Sequence, residues 1–147
     1  MNPAPIAVAR VVRRFDVPPE RVFDAWLDPK KISQWMFGPR LREEEILHIE
    51  LDARTGGSFS FLVRRGGEEI DHVGDYLEID RPRRLVFTWS IAPDRDPRSR
   101  VTVEIAPAAG GCLLTLEHEL PPEWASYLRR TEEGWTRMVD ELATIDR

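Results

Sequence analysis

The longest periodic signal in the chain lies at its end. From Pro121 to Ile145, apolar or near-apolar residues fall at Trp124, Leu128, Thr131, Trp135, Met138, Leu142 and Ile145, in steps of 4, 3, 4, 3, 4 and 3. That spacing marks one face of an α-helix. Tyr127 and Val139 widen the stripe, while Glu123, Arg129, Arg130, Glu132, Glu133, Arg137, Asp140 and Glu141 mostly take the other side. Pro121 and Pro122 suit a helix start, where a missing N–H costs nothing. At about 1.5 Å per residue the pattern predicts one helix of roughly 36 Å, which needs a matching apolar surface. Thr131 and Gly134 thin the stripe between the bulky Trp124 and Trp135, so a hollow is expected beneath its middle.

The rest of the chain predicts that surface. Residues 2–6 read as a loose tail, and Ala7 to Val17 as a strand ended by Pro18-Pro19. Pro19-Glu20-Arg21 opens a short helix with Val22, Phe23, Trp26 and Leu27 on its apolar face. Asp28 is placed to cap a second short helix, with Pro29 at its first position; this helix runs to about Trp35 and Met36 and stops at Phe37-Gly38-Pro39. The period then falls to 2. Ile46–Arg54 alternates, with Leu47, Ile49 and Leu51 on one side. Ser58–Arg65, Glu68–Ile79, Leu85–Ile91, Arg100–Ala106 and Cys112–Leu120 read as further strands. Gly56-Gly57, Gly66-Gly67, Arg81-Pro82-Arg83 and Ala109-Gly110-Gly111 mark turns, and Ala92–Ser99 reads as an exposed hairpin loop. Short glycine-rich connections imply an antiparallel meander. The expected architecture is α+β: about seven antiparallel strands, two short helices after the first, and the long C-terminal helix covering one face, in one domain over residues 1–147.

Composition narrows the class. With 41% apolar and 32% charged residues, the chain has the make-up of an ordinary globular domain. A formal charge of −5 disfavours a general nucleic-acid binder, which needs a basic face. The single cysteine, Cys112, cannot form an internal disulfide and fits a reducing compartment; it sits in an apolar run as a small hydrophobe. No signal peptide and no membrane span are visible, so a cytoplasmic location is expected.

Six segments, in order, carry a resemblance. They are Val17-Pro18-Pro19-Glu20-Arg21-Val22-Phe23-Asp24-Ala25-Trp26, Trp35-Met36-Phe37-Gly38-Pro39, Gly56-Gly57-Ser58-Phe59, Gly74-Asp75-Tyr76-Leu77-Glu78-Ile79, Arg84-Leu85-Val86-Phe87-Thr88-Trp89 and Gly134-Trp135. Together they resemble the START-like, or SRPBCC, superfamily. Within it they are most similar to the family named after the C-terminal domain of the activator of the heat-shock-protein-90 ATPase. The resemblance covers nearly the whole chain. It implies a helix-grip fold, a curved antiparallel sheet gripping the long helix, with an apolar cavity between them. Members of the superfamily bind lipids, polyketides, hormones or other apolar molecules, and a few catalyse. The family offers no shared catalytic motif to carry over. The chain departs from the eukaryotic co-chaperone, showing no separate N-terminal domain to hold the client chaperone.

The cavity candidates follow from parity and from the helix stripe. From the strands they are Phe59, Phe61, Tyr76, Phe87, Trp89, Val103, Leu116 and His118; from the mouth, Trp35, Met36 and Phe37; from the long helix, Leu128, Thr131, Gly134, Trp135 and Met138. Such a lining is mostly apolar with few polar groups, the profile of a small-molecule pocket. His48, His72 and His118 lie on three different strands, without the spacing of a metal site. Asp71 and Asp75 share one strand face and Glu78 takes the other. No phosphate loop, nucleophile elbow or dinucleotide fingerprint is present. The favoured reading is a binding protein, without metal or cofactor, that holds an apolar or aromatic molecule between sheet and helix. One alternative is an enzyme acting on a polyketide-like cyclic substrate with His118, Asp75 or Tyr76 as acid or base. The other is a stress-related co-chaperone or interaction module with a chaperone partner or a second copy.

Overall fold

The structure, a computed structural model, describes residues 7–145. The expected loose tail at residues 2–6 lies outside the described residues. Along the chain run β1 (Ala7–Phe15), α1 (Pro19–Ala25), α2 (Pro29–Trp35), β2 (Glu45–Leu51), β3 (Ser58–Arg65) and β4 (Glu68–Asp80). Next come β5 (Arg84–Thr88), β6 (Ser90–Ile91), β7 (Arg100–Ala108), β8 (Gly111–Leu120), a 3-10 turn (Pro122–Tyr127) and α3 (Leu128–Ile145). The strands form one antiparallel sheet in the order β1-β8-β7-β5-β4-β3-β2, with β6 pairing β4. The sheet is not closed into a barrel. The α+β class, the two early helices and the C-terminal helix are as the sequence predicts.

Local chemistry sets the element ends. Asp28 caps α2, its carboxylate accepting the Lys30 N–H at 3.0 Å. Gly66 and Gly67 both adopt positive φ, 58° and 81°, the conformation that a two-residue hairpin turn between Arg65 and Glu68 demands. One face of the sheet carries Val11, Phe15, Phe59, Phe61, Tyr76, Leu85, Phe87, Val101, Val103, Leu114 and Leu116, all buried in a single cluster. α1 and α2 add Val22, Phe23, Trp26, Ile32 and Trp35; α3 adds Trp135, Val139 and Leu142. At the free edge of β1, the Glu132 carboxylate accepts the Arg10 N–H at 3.0 Å and Asp140 meets Arg13 at 3.0 Å. α3 thereby blunts an edge that would otherwise be open to pairing.

Four expectations are corrected. The C-terminal helix is not continuous from Pro121: its first six residues form a 3-10 turn, with the Trp124 N–H bonded to the Pro121 carbonyl at 2.9 Å. A 3-10 turn has three residues per turn rather than 3.6, so the stripe loses phase. α3 buries Trp135, Val139 and Leu142 instead of one line from Trp124 to Ile145, and its 18 residues span roughly 27 Å.

The second correction concerns Leu85–Ile91, which is two strands rather than one. At the break the Asp75 N–H goes to the Thr88 hydroxyl at 2.9 Å instead of to a backbone carbonyl. The other two arise from β-bulges, each of which inserts one residue and shifts the parity that follows. A bulge between Ile46 and His48 lets Ile46, with Ile49 and Leu51, pack on the core in place of Leu47. A bulge between Tyr76 and Glu78 leaves Leu77 exposed. It returns Glu78 to the outer face, where Arg84 bridges it to Glu104.

Gly74 sits where β4 passes the break between β5 and β6. A Cβ there would collide with the Thr88 carbonyl and lie 2.6 Å from the Phe59 ring. Gly134, in the middle of α3, has nothing within 4 Å of an added Cβ. The two glycines should therefore respond oppositely in urea unfolding. Gly74→Ala is expected to destabilise by about 3 kcal/mol, as overpacking does. Gly134→Ala should stabilise by about 0.5–1 kcal/mol through helix propensity.

Candidate functional site

α1 and α2 fill one end of the sheet's apolar face. At the other end the chain stands off, and a cleft of about 360 Å³ opens between the sheet, the 3-10 turn and the first turns of α3. Its walls are Trp89, Ser90, Ile91 and Asp94 from β6 and its flanks, Ser99, His118 and Leu120 from the ends of β7 and β8, and Trp124, Tyr127, Thr131, Gly134, Trp135 and Met138 from the turn and helix. The volume lies in the range of small-molecule pockets. Three indoles and a phenol dominate the lining, and Asp94 is its only carboxylate. Arg98 binds Asp96 and also Glu123, tying the loop after β6 to the 3-10 turn at the rim.

A hydrogen-bonded chain sets the polar wall. The Ser99 hydroxyl donates to the Trp89 carbonyl at 2.6 Å. Its oxygen then accepts from His118 Nε2 at 2.8 Å. His118 Nδ1 is left to accept the Trp135 indole N–H at 3.1 Å. Each link fixes the next: His118 is the neutral tautomer with its proton on Nε2, and its basic nitrogen is occupied by an indole. Burial pushes its pKa down to about 4. His118 is 4% exposed and Ser99 fully buried, so the chain of bonds is shielded from water, where it holds Trp89 and Trp135 in place.

The cavity candidates, Leu128 apart, divide into two groups. Trp89, His118, Thr131, Gly134, Trp135 and Met138 meet at the cleft. Trp35, Met36, Phe37, Phe59, Phe61, Tyr76, Phe87, Val103 and Leu116 pack in the core. Phe59 stacks on Phe61 at 4.7 Å between ring centres, and Phe37 packs edge-on to Phe61 at 5.9 Å. Among these rings lies a void of about 10 Å³ lined by Trp26, Met36, Phe59, Phe61, Tyr76, Leu85, Phe87 and Trp89. Leu128 is half-buried at the start of α3 and belongs to neither lining.

His118, Asp75 and Tyr76 stand in separate environments. Asp75 accepts from the Ser58 hydroxyl at 2.7 Å on the outer face and meets Arg95 at 3.6 Å. Tyr76 packs between Phe59 and Phe87, and burial raises its phenol pKa well above the ordinary value. His72 donates its Nδ1–H to the Phe61 carbonyl at 3.0 Å; a carbonyl only accepts, so Nδ1 carries the proton. Burial lowers the His72 pKa as well. Among the described residues, no three or more His, Cys, Asp or Glu side chains are grouped so as to hold a metal ion, and no helix is long and apolar enough to cross a membrane.

Sequence reasoning missed Ser90, Ile91, Asp94, Ser99, Leu120 and Tyr127 as lining. A signal for Ser99 existed. The turn between Ala108 and Gly111 fixes the β7–β8 register and pairs Val101 with His118, which carries the chain just before Val101 past the histidine.

The sign of the His118 shift gives a stability prediction. Between pH 6.5 and about 4 the unfolded chain takes up a proton that the folded His118 refuses. The contribution of His118 is fully present above pH 6.5 and is lost as pH drops through that window, by about 3 kcal/mol. His72 adds to the loss in the same direction. In His118→Gln, urea unfolding across pH 4 to 7 should show a shallower pH slope than the wild-type protein.

A family model described as Activator of Hsp90 ATPase homolog 1-like protein matches residues 16–145. Among solved structures, a protein from Chromobacterium violaceum is 26% identical with a TM-score of 0.70, covering 95% of this chain and 96% of its own. An AHSA1-like protein from Aeromonas hydrophila is 21% identical with a TM-score of 0.76, covering 93% and 90%. A protein from Mycobacterium smegmatis is 17% identical with a TM-score of 0.80, covering 99% and 94%. The latter two likenesses concern the fold alone. No curated protein matches the chain.

Proposed function

We propose that this chain, which belongs to the Activator of Hsp90 ATPase homolog 1-like protein family, binds a small apolar or aromatic molecule in the cleft beside the first turns of α3. The observation that carries this reading is the cleft itself: about 360 Å³, walled by Trp89, Trp124, Trp135 and Tyr127, with Gly134 at its floor. A glycine inside a helix costs about 1 kcal/mol against alanine. At position 134 no neighbour requires it, since an added Cβ meets nothing within 4 Å. What the missing side chain preserves is space. A planar ligand stacking on the indoles gains about 25 cal/mol per Å² of apolar surface removed from water, less the cost of association. Asp94 and Thr131 supply the few polar groups that orient it.

Ile91 and Tyr127, exposed at the rim, favour a second reading in which a protein partner seats an apolar side chain in the same cleft. That reading leaves room for the chaperone-related role suggested by the family's description, or for a second copy of the chain.

The expected result of a panel of apolar and aromatic compounds is a rise in melting temperature together with a change in tryptophan emission. Gly134→Leu should fill the cleft and remove both responses while melting no lower than the wild-type protein. A panel without a hit, or a hit untouched by Gly134→Leu, would set the reading aside. Capture of a partner that Gly134→Leu abolishes, with no small-molecule hit, would favour the second reading.

A further inference from the structure

Trp26, Trp35 and Trp135 are all buried. Two have their indole N–H matched: Trp35 donates to the Ala25 carbonyl at 3.0 Å and Trp135 to His118 at 3.1 Å. Trp26 does not. Among the described residues, its Nε1 is the one buried side-chain nitrogen or oxygen left without a partner. Trp26 is 3% exposed, so bulk water does not serve it. A buried donor without an acceptor is unfavourable enough to be rare in native structures, and phenylalanine would fill most of the same space without it.

Trp26 lines the small void of about 10 Å³, close to the roughly 10–15 Å³ that one water-sized atom needs. Trp89 lines both this void and the cleft. Trp135, on the cleft wall, lies 5.3 Å from Trp89 and 6.0 Å from Trp26 between ring centres. The Trp26 indole ring thus lies one aromatic layer behind the cleft.

We infer that the void beneath Trp89 is a subsite for a single hydrogen-bond acceptor, the carbonyl or ether oxygen at the deep end of the molecule bound in the cleft, with the Trp26 N–H as donor. This rests on the cleft being the ligand site. The rest of the wall fits one atom and no more: Met36, Phe59, Phe61, Leu85 and Phe87 offer only apolar surface or a weak thioether acceptor. Tyr76, also on this wall, keeps its phenolic proton because burial disfavours the phenolate, so it can add a second donor, an O–H, rather than a charge. A carboxylate would enter against a wall that holds no cation, whereas a neutral oxygen enters at little desolvation cost. Trp89 must shift to admit the oxygen, and a water takes the same position when the cleft is empty.

The test compares 2-acetonaphthone with 2-isopropenylnaphthalene, which share a skeleton and differ in C=O against C=CH₂. Calorimetry on the intact chain is expected to show the ketone binding about 5- to 10-fold more tightly, the effect of one neutral hydrogen bond. In ¹⁵N-labelled protein, the ketone alone should move the Trp26 indole N–H resonance downfield. Trp26→Phe should erase the ketone's preference over the alkene; should that variant not fold, the resonance in the wild-type protein decides. Equal affinities with an unmoved Trp26 resonance would overturn the subsite, water being its only occupant. If both compounds bind equally and Gly134→Leu abolishes both, the cleft reading stands and the subsite falls. If neither binds, both fall.

Discussion

An antiparallel sheet with one apolar face must have that face covered, and this chain covers it with little helix. The face extends from β1 across to β2. Above it lie two seven-residue helices and one of 18 residues. α1 and α2 bring Phe23, Trp26, Ile32 and Trp35 down onto one end, and the aromatic side chains there interlock. At the other end only the 3-10 turn and the first turns of α3 are available. The cleft lies where the cover runs short.

That shortfall would be unstable were its walls free to collapse, since exposed indoles gain by closing on one another. The bonds from Trp135 through His118 and Ser99 to the Trp89 carbonyl resist this. They link α3, β8, the end of β7 and the strand break after β5 into one buried polar unit. Because every donor in that unit has its acceptor, it can be rigid without a desolvation penalty left over. The same bonds occupy the basic nitrogen of His118, which makes the histidine a structural brace more than a proton acceptor in the geometry seen here.

The family places the chain among domains whose name records a chaperone partner, and the solved structures with this fold agree on architecture. A fold of this kind hosts unrelated activities. What bears on function in this chain is chemistry at named positions: glycine at 134, indoles at 89, 124 and 135, and an indole at 26 whose N–H lacks a match.

The sequence by itself determined the elements and their order. Period-2 runs, glycine-rich turns and the Asp28-Pro29 cap are local signals, and local backbone preferences obey them. The residue segments that carry the family likeness are of the same kind. Parity also told which strand residues turn inward, His118 among them, up to the points where a bulge resets the count, as at Leu47 and Leu77. Only the tertiary structure decided where the apolar face is filled and where it is left open. Phe59, Phe61 and Phe87 have the same apolar character as Trp89 and Trp135. Which of them meet a packed neighbour and which meet a gap depends on where α1, α2 and the 3-10 turn come to rest across the sheet. The phase change between the 3-10 turn and α3, the pairing of Ser99 with His118 and the unmatched Trp26 N–H arise from contacts between residues far apart in the chain. No local pattern encodes them.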